Sequence, residues 1–220
     1  FYQRLAYDEI LASFMVHSEI RKKIKKIKKQ KKIFNHIYQN YLFSKLDFDL
    51  TNDQKTSLNE INQDLKSNQK MFRLLQGDVG SGKTIVALTA AYNVIKSGFQ
   101  VAVMAPTEIL ARQHFQLAKN IFDKKIRIEI LSSKSEYREK KKILKELSNN
   151  EVDIIFGTHA IFQKKVIFKN LGLIIIDEQH KFGVNQRKKL SDKGDDNCDV
   201  LLMTATPIPR TLTMTIYGDM

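Results

Sequence analysis

Two short stretches carry residue types and spacings suited to phosphate chemistry. Gly77-Asp78-Val79-Gly80-Ser81-Gly82-Lys83-Thr84 fits the pattern G-x-x-x-x-G-K-[ST], in which a glycine-rich loop turns successive backbone N–H groups onto phosphate oxygens at a helix N-terminus. Gly77, Gly80 and Gly82 free the backbone for those turns, and Ser81 lies inside the cradle. Lys83 is placed to reach the β and γ phosphates, and the Thr84 hydroxyl to hold Mg²⁺. The second stretch, Asp177-Glu178-Gln179-His180, follows the most apolar run in the chain, Leu173-Ile174-Ile175-Ile176. Two adjacent carboxylates at the end of a buried strand are costly unless a cation neutralises them. Mg²⁺ does so, with Asp177 holding the metal directly or through water and Glu178 orienting and deprotonating the attacking water of an in-line phosphoryl transfer. Each stretch has a plainer reading, a Gly/Ser turn before an ordinary helix and an acidic turn at a strand end. Their co-occurrence, with a strand before the loop and a helix after it, favours the chemistry.

To meet, the two stretches must fold onto one edge of a common framework. From Met71 onward, apolar runs of strand length alternate with helically spaced segments: strands over 71–76, 100–105, 127–131, 153–157, 171–176 and 200–203, helices over 83–97, 108–122 and 135–147. Nearly all-apolar strands alternating with helices imply an α/β domain with a mostly parallel sheet covered by helices on both faces. Ligands of such a sheet bind at the carboxyl ends of its strands. Gly77, Pro106-Thr107, Gly157-Thr158, Asp177-Glu178 and Thr204-Ala205-Thr206 each follow directly on a strand, which assigns them all to one edge. Upstream, a cap-like Thr51 or Asn52 opens a helix through Leu58, Ile61 and Leu65. Apolar residues over 4–45 also keep helical spacing, so an N-terminal helical extension is expected.

The 220 residues suffice for one large α/β domain or a domain with an appendage. The formal charge of +13 calls for an anionic partner, yet nine of the twelve residues from Arg21 to Lys32 are basic, so the remainder is only mildly positive. Lys, Ile and Asn are abundant throughout, which gives the lysine count a compositional explanation as well. The basic run reads either as an arm near a nucleic-acid backbone or as a solvated helix joining two domains. Like-charge repulsion at i,i+4 makes it the softest part of the extension. Cys198 is the single cysteine, so there is no intrachain disulfide and no CxxC site, which suits a reducing cytoplasm. No apolar run approaches the roughly 20 residues of a membrane span and no signal-peptide pattern opens the chain, so a cytoplasmic protein without a membrane partner is expected. The chain starts on Phe1 rather than Met, the look of a piece of a longer protein.

Taken together, GDVGSGKT and DEQH resemble the first motor lobe of a superfamily 2 helicase, a RecA-like P-loop domain, and the other motifs of that lobe occur in order. FDLTNDQ, with Phe48 and Gln54, resembles the adenine-reading motif; APTEILARQH at 105–114 resembles motif Ia, GTHA at 157–160 motif Ib, and TAT at 204–206 motif III. More closely, MAPTEILARQHF, GTHAIFQKKVIFKNLGLIIIDEQHKFGVNQR and LLMTATPIPRTLTMTIYGD resemble the RecG branch, ATP-dependent DNA helicases that remodel stalled replication forks and Holliday junctions in recombination and repair. Transcription-repair coupling translocases share the TATPIPRTL region but usually carry a DEEQ-type box, whereas Gln179-His180 favours RecG. Lys181 departs from the Arg more often found there, keeping the charge but not the planar guanidinium. The resemblance covers about 47–219, so residues 47–220 are assigned to the motor lobe and 1–46, matched only loosely through RLAYDEILA, to a lysine-rich linker or extension.

The resemblance implies ATP and Mg²⁺ as cofactors, with Phe48 and Gln54 at the adenine and Gly77, Gly80, Ser81, Gly82, Lys83 and Thr84 on the phosphates. Lys83, Asp177 and Glu178 would be the catalytic groups, and Thr84 and Asp177 the Mg²⁺ ligands. A DNA track would run past Pro106, Thr107, Arg112, Gly157 and Thr158, touching backbone rather than bases. Arg112 has a second reading, an ion pair with Glu108 one helical turn earlier. His180, Thr204 and Thr206 would couple the nucleotide to the track, while His114, on a helix with Leu110 and Leu117, reads as packing. Such motors close ATP against a second lobe whose arginine is worth ~10³ to 10⁵ in rate, and a wedge domain splits the branched or forked duplex. With neither evident in this sequence, the chain alone is expected to bind nucleotide weakly, hydrolyse it poorly and unwind nothing. Two other classes compete. A phosphate-loop GTPase or small-molecule kinase would use the same loop, but the [NT]-K-x-D guanine signature is absent. A non-catalytic nucleic-acid-binding module would explain the basic run but not the carboxylate pair.

Overall fold

A computed structural model describes residues 28–132, 136–177 and 198–205. Its centre is a six-stranded sheet, parallel throughout, in the order β1-β6-β5-β2-β4-β3. The strands are β1 (Phe72–Gln76), β2 (Gln100–Met104), β3 (Ile128–Leu131), β4 (Ile154–Gly157), β5 (Leu171–Asp177) and β6 (Asp199–Thr204). The described α-helices are α1 (His36–Phe43), α2 (Asn52–Lys66), α3 (Lys83–Lys96), α4 (Glu108–Ile121) and α5 (Tyr137–Ser148), and a 3-10 turn spans His159–Phe162. Each strand and helix expected from Met71 onward is present, with ends shifted by a residue or two.

Strand alternation divides the core into two layers. Val101, Val103, Phe156, Leu173, Ile175, Leu201 and Met203 face α1 to α4. Ala102, Met104, Ile155, Ile174, Ile176 and Leu202 face the other way, against Ile143 and Leu147 of α5 and against Ile161 and Val166. Residues 173–176 are buried on both faces, which is why that segment reads as a continuous apolar run rather than an alternating one. At about 1.5–3 kcal/mol per fully buried Leu or Ile, these central strands anchor the domain. Because every strand runs the same way, the carboxyl ends gather on a single edge, as the motif positions required.

Of the expected helical extension, residues 1–27 lie outside the described residues, and only 28–35 depart from expectation. Residues 28–35 are not helical: Lys28 forms an antiparallel bridge with Gln69, and the N–H groups of Lys29 and Lys32 donate to Asn68 O (3.0 Å) and Leu65 O (3.3 Å). The ammonium groups of Lys29 and Lys32 each lie 2.6 Å from Asp199 Oδ2, with all three side chains fully enclosed. Asp199 also accepts the Met71 N–H at 2.7 Å. A carboxylate buried at the start of β6 demands cations. That demand, with the backbone bonds, overrides a helical preference already weakened by like charges. For these two lysines neither the arm nor the solvated helix applies. Burial pulls the Lys29 ammonium below the ordinary lysine range, against the opposing pull of Asp199. Helix begins at His36, where Asn35 caps the N-terminus by accepting the Ile37 N–H. Phe34 and Leu42 then enter the main core. Among the described residues, no helix is long and apolar enough to cross a membrane.

Candidate active site

The loop after β1 leads into α3 through Gly82, which sits in the left-handed region at φ 81° and offers no side-chain cap. The first N–H groups of α3 are therefore left for a ligand rather than for a capping oxygen, the arrangement that attracts anions. Lys83 Nζ donates to the carbonyls of Gly77 and Asp78, both at 2.7 Å, so its ammonium rests over the loop. A Cβ at Gly77 would lie 2.7 Å from Ser81 Oγ, so a larger residue there must turn the Ser81 hydroxyl aside. Beside the loop opens a pocket of about 460 Å³ bordered by Thr51, Gln54, Gly77, Ser81 and Lys83.

Gln54 reaches this pocket from α2. Its position follows from a capping box at the helix start: Thr51 Oγ1 accepts the Gln54 N–H (3.3 Å), and Gln54 Oε1 accepts the Thr51 N–H (2.9 Å). The same amide donates through Nε2 to Ser81 O at 2.9 Å, which ties α2 to the phosphate loop. Phe48 stands apart, 53% exposed and outside the lining of the pocket.

Asp177 is the last residue of β5, two strands from β1 with β6 between them, a separation of about 10 Å at ordinary strand spacing. Its Oδ2 lies 2.8 Å from His114 Nε2. The expectation of His114 as a packing residue is thus incomplete: it is buried, but on a polar partner. Thr204 closes β6 in register with Gln76, and its carbonyl accepts the Gly77 N–H at 3.3 Å, so the third motif touches the phosphate loop through backbone. Glu178, His180 and Thr206 lie outside the described residues.

The residues present fit magnesium nucleotide. The glycine cradle and Lys83 suit the phosphates, while the Thr84 hydroxyl and the Asp177 carboxylate are hard oxygen ligands too few to cage a metal alone, and Mg²⁺ characteristically completes its shell with phosphate and water. The described residues contain no cluster of three or more His, Cys, Asp or Glu that could hold a metal by itself.

The proposed track residues occupy the other half of the same edge. Thr107 caps α4 by accepting the Leu110 N–H (3.3 Å), directly after Pro106. Gly157 ends β4 and Thr158 precedes the 3-10 turn. Gly157 is fixed by close approach, because a Cβ would meet Leu131 O at 2.7 Å. Arg112 adopts its second reading: it pairs with Glu108 at 3.0 Å and reaches Ser132 Oγ at 3.2 Å, with its side chain 53% exposed. Ser132 in turn donates to Glu108. The Ser132 link was missed because nothing in the local sequence marks it. His114 carried one signal, as a polar residue on the stripe Ala111, Ala118, Ile121. A second pocket of about 490 Å³, lined by Lys119, Lys124, Lys125 and Arg127, lies before β3 and so at the opposite edge of the sheet.

Residues 51–215 match the family model described as DEAD/DEAH box helicase. The chain is 53% identical to the ATP-dependent DNA helicase RecG of Streptococcus pneumoniae serotype 4 over 175 residues, 80% of this chain and 26% of that protein. It is 44% identical to the RecG of Aquifex aeolicus across 100% of its own length and 28% of the relative. A solved structure described as RecG bound to a three-way DNA junction matches with a TM-score of 0.85 at 41% identity, over 99% of this chain and 29% of that one. The Hef helicase domain of Pyrococcus furiosus, at 20% identity and TM-score 0.56 over 76% of this chain and 35% of that one, shares the fold. The chain therefore spans about a quarter of the length of the RecG relatives it matches, and its parallel sheet is a RecA-like helicase lobe.

Proposed function

The chain belongs to the DEAD/DEAH box helicase family, and from that membership we propose that it is the ATP-binding lobe of a RecG-type motor that moves on branched or forked duplex DNA. The observation that carries this reading is the convergence of Gln54, the Gly77–Thr84 loop and Asp177 on one half of a sheet edge whose other half presents Thr107, Gly157 and Thr158. Nucleotide and track thus share one continuous rim. The loop N–H groups and Lys83 bind the phosphates, with the ammonium exchanging the carbonyls of Gly77 and Asp78 for phosphate oxygens. Gln54 selects adenine through the donor and acceptor of its amide, and Phe48, outside the pocket lining here, reaches the base only by swinging inward. Thr84 and Asp177 would hold Mg²⁺ brought with the nucleotide, which would supply neutralisation of phosphate charge. Glu178, directly after Asp177, orients and deprotonates the attacking water. His180, Thr204 and Thr206 relay the nucleotide state to the track, where Pro106, Thr107, Gly157, Thr158 and, once released from Glu108, Arg112 hold DNA phosphates.

A second lobe of the parent protein supplies the arginine that stabilises the transferring phosphoryl group, and a wedge domain splits the duplex. On its own the 220-residue chain then binds nucleotide weakly and turns it over slowly, since an arginine finger contributes ~10³ to 10⁵ in rate. In the full-length protein, Lys83→Ala is expected to abolish DNA-stimulated ATP hydrolysis and junction unwinding while sparing DNA binding. Undiminished hydrolysis in that variant, or GTP competing as well as ATP for the wild-type site, would sink the reading.

A further inference from the structure

Four residues of α4, Ala111, His114, Ala118 and Ile121, form its buried stripe. Three are apolar, and an imidazole in their midst needs a polar partner. That partner is settled by strand alternation. Asp177 follows Leu173 and Ile175 at intervals of two along β5, so its side chain emerges on the face that α4 covers. The two meet at 2.8 Å between Nε2 and Oδ2, with side-chain exposures of 9% and 13%. An ionised carboxylate only accepts, so Nε2 carries the proton. No other side chain among the described residues hydrogen-bonds the Asp177 carboxylate.

We propose that His114 is a positioning residue for the magnesium carboxylate: by holding Oδ2 it fixes the Asp177 carboxyl plane and leaves Oδ1 as the oxygen offered to the metal of bound magnesium nucleotide. The inference rests on the reading of Asp177 as a metal ligand. Carboxylate ligands are generally oriented by hydrogen bonds from behind, and losing such a partner characteristically lowers metal affinity or activity 10–100-fold. The location adds a second consequence. His114 lies seven residues from Thr107 on the same helix, about 10 Å along its axis. Any displacement of α4 by DNA at its N-terminus is therefore delivered to Asp177 through His114.

The test uses the full-length protein with a non-hydrolysable ATP analogue and Mn²⁺ in place of Mg²⁺, read by the electron paramagnetic resonance of bound Mn²⁺. His114→Leu is expected to weaken Mn²⁺ binding to the nucleotide complex by about 10–100-fold. Metal-free affinity for the analogue should stay unchanged. His114→Gln, which keeps an N–H donor at similar reach, should recover most of the loss and restore DNA stimulation of hydrolysis. Wild-type Mn²⁺ affinity in His114→Leu, or equal impairment of the Leu and Gln variants, overturns the proposal and leaves the histidine a packing group. Where thermal melting shows His114→Leu to be unfolded, His114→Ala against His114→Gln decides in the same way. Asp177→Asn separates the two levels: if it binds Mn²⁺ normally, the metal-ligand reading itself fails. If it loses Mn²⁺ while His114→Leu does not, only the positioning role fails.

Discussion

Gly80 and Gly82 share a φ of 81°, yet they are not equivalent. A Cβ at Gly80 would meet nothing within 4 Å, whereas at Gly82 it would run into Gln54 Nε2. Both Ala substitutions therefore incur the left-handed strain of about 1–2 kcal/mol, seen as similar losses in thermal or denaturant stability. Only Gly82→Ala should also dislodge the Gln54 amide from Ser81 O and weaken adenine nucleotide binding beyond the loss in Gly80→Ala. Equal nucleotide affinities in the two variants would show that Gln54 does not depend on the loop. At this scale the sequence was readable where spacing is the signal. The glycines and Lys83 lie in the loop between β1 and α3 where their spacing put them, and Gln54, singled out only by resemblance, bonds that loop. Arg112 had two partners compatible with its position, and the fold chose Glu108. His114 was readable as buried but not as bonded, because the residue it faces lies 63 positions away.

Among the elements, the inner strands β2, β4, β5 and β6 were legible because burial on both faces leaves an unmistakable apolar run. The segment 28–35 was not. Its conformation is dictated by Asp199, 170 residues distant from Lys29, while its local composition speaks only of lysine. This buried triad yields a directional expectation. Asp199→Ala removes the one carboxylate that both enclosed ammonium groups share and should destabilise the domain by roughly 3–5 kcal/mol, measured as a fall in the urea midpoint. Replacing all three residues by apolar side chains of similar volume should return much of that stability, as removal of a whole buried ion pair often does. Were Asp199→Ala as stable as the parent, the triad would not be holding the segment in place.

For the molecule as a whole, alkaline pH offers a probe of the layer between α1, α3 and α4. Tyr92 is buried between Tyr41 and the Phe122 ring, with centroids 6.4 and 5.2 Å away. Burial first, then the neighbouring Asp123 carboxylate, pushes its phenol up to about 12. The unfolded chain releases that proton near pH ~10. Between these values the unfolded state binds fewer protons than the fold, and stability falls as pH rises. The loss from this one group should reach roughly 1 kcal/mol by about pH 11, and it should vanish in Tyr92→Phe. Parallel alkaline slopes for the two proteins in urea titrations would place the phenol in water instead. The overall architecture was legible in outline, an α/β sheet with its motifs on one edge, because alternation of strand and helix leaves few topologies. Which strands neighbour which was not, since strand order is written in packing rather than in the local pattern.

The lysine clamp on Asp199 also bears on where one protein ends and another could begin. The matched helicase region starts at residue 51, but the charges that complete the sheet sit at residues 29 and 32. The family match and the folding unit therefore have different borders. A chimera that grafts this domain onto a foreign partner at the first recognisable motif would inherit every proposed site residue and lose the counter-ions of its own core. One cut ahead of Lys28 would carry them along.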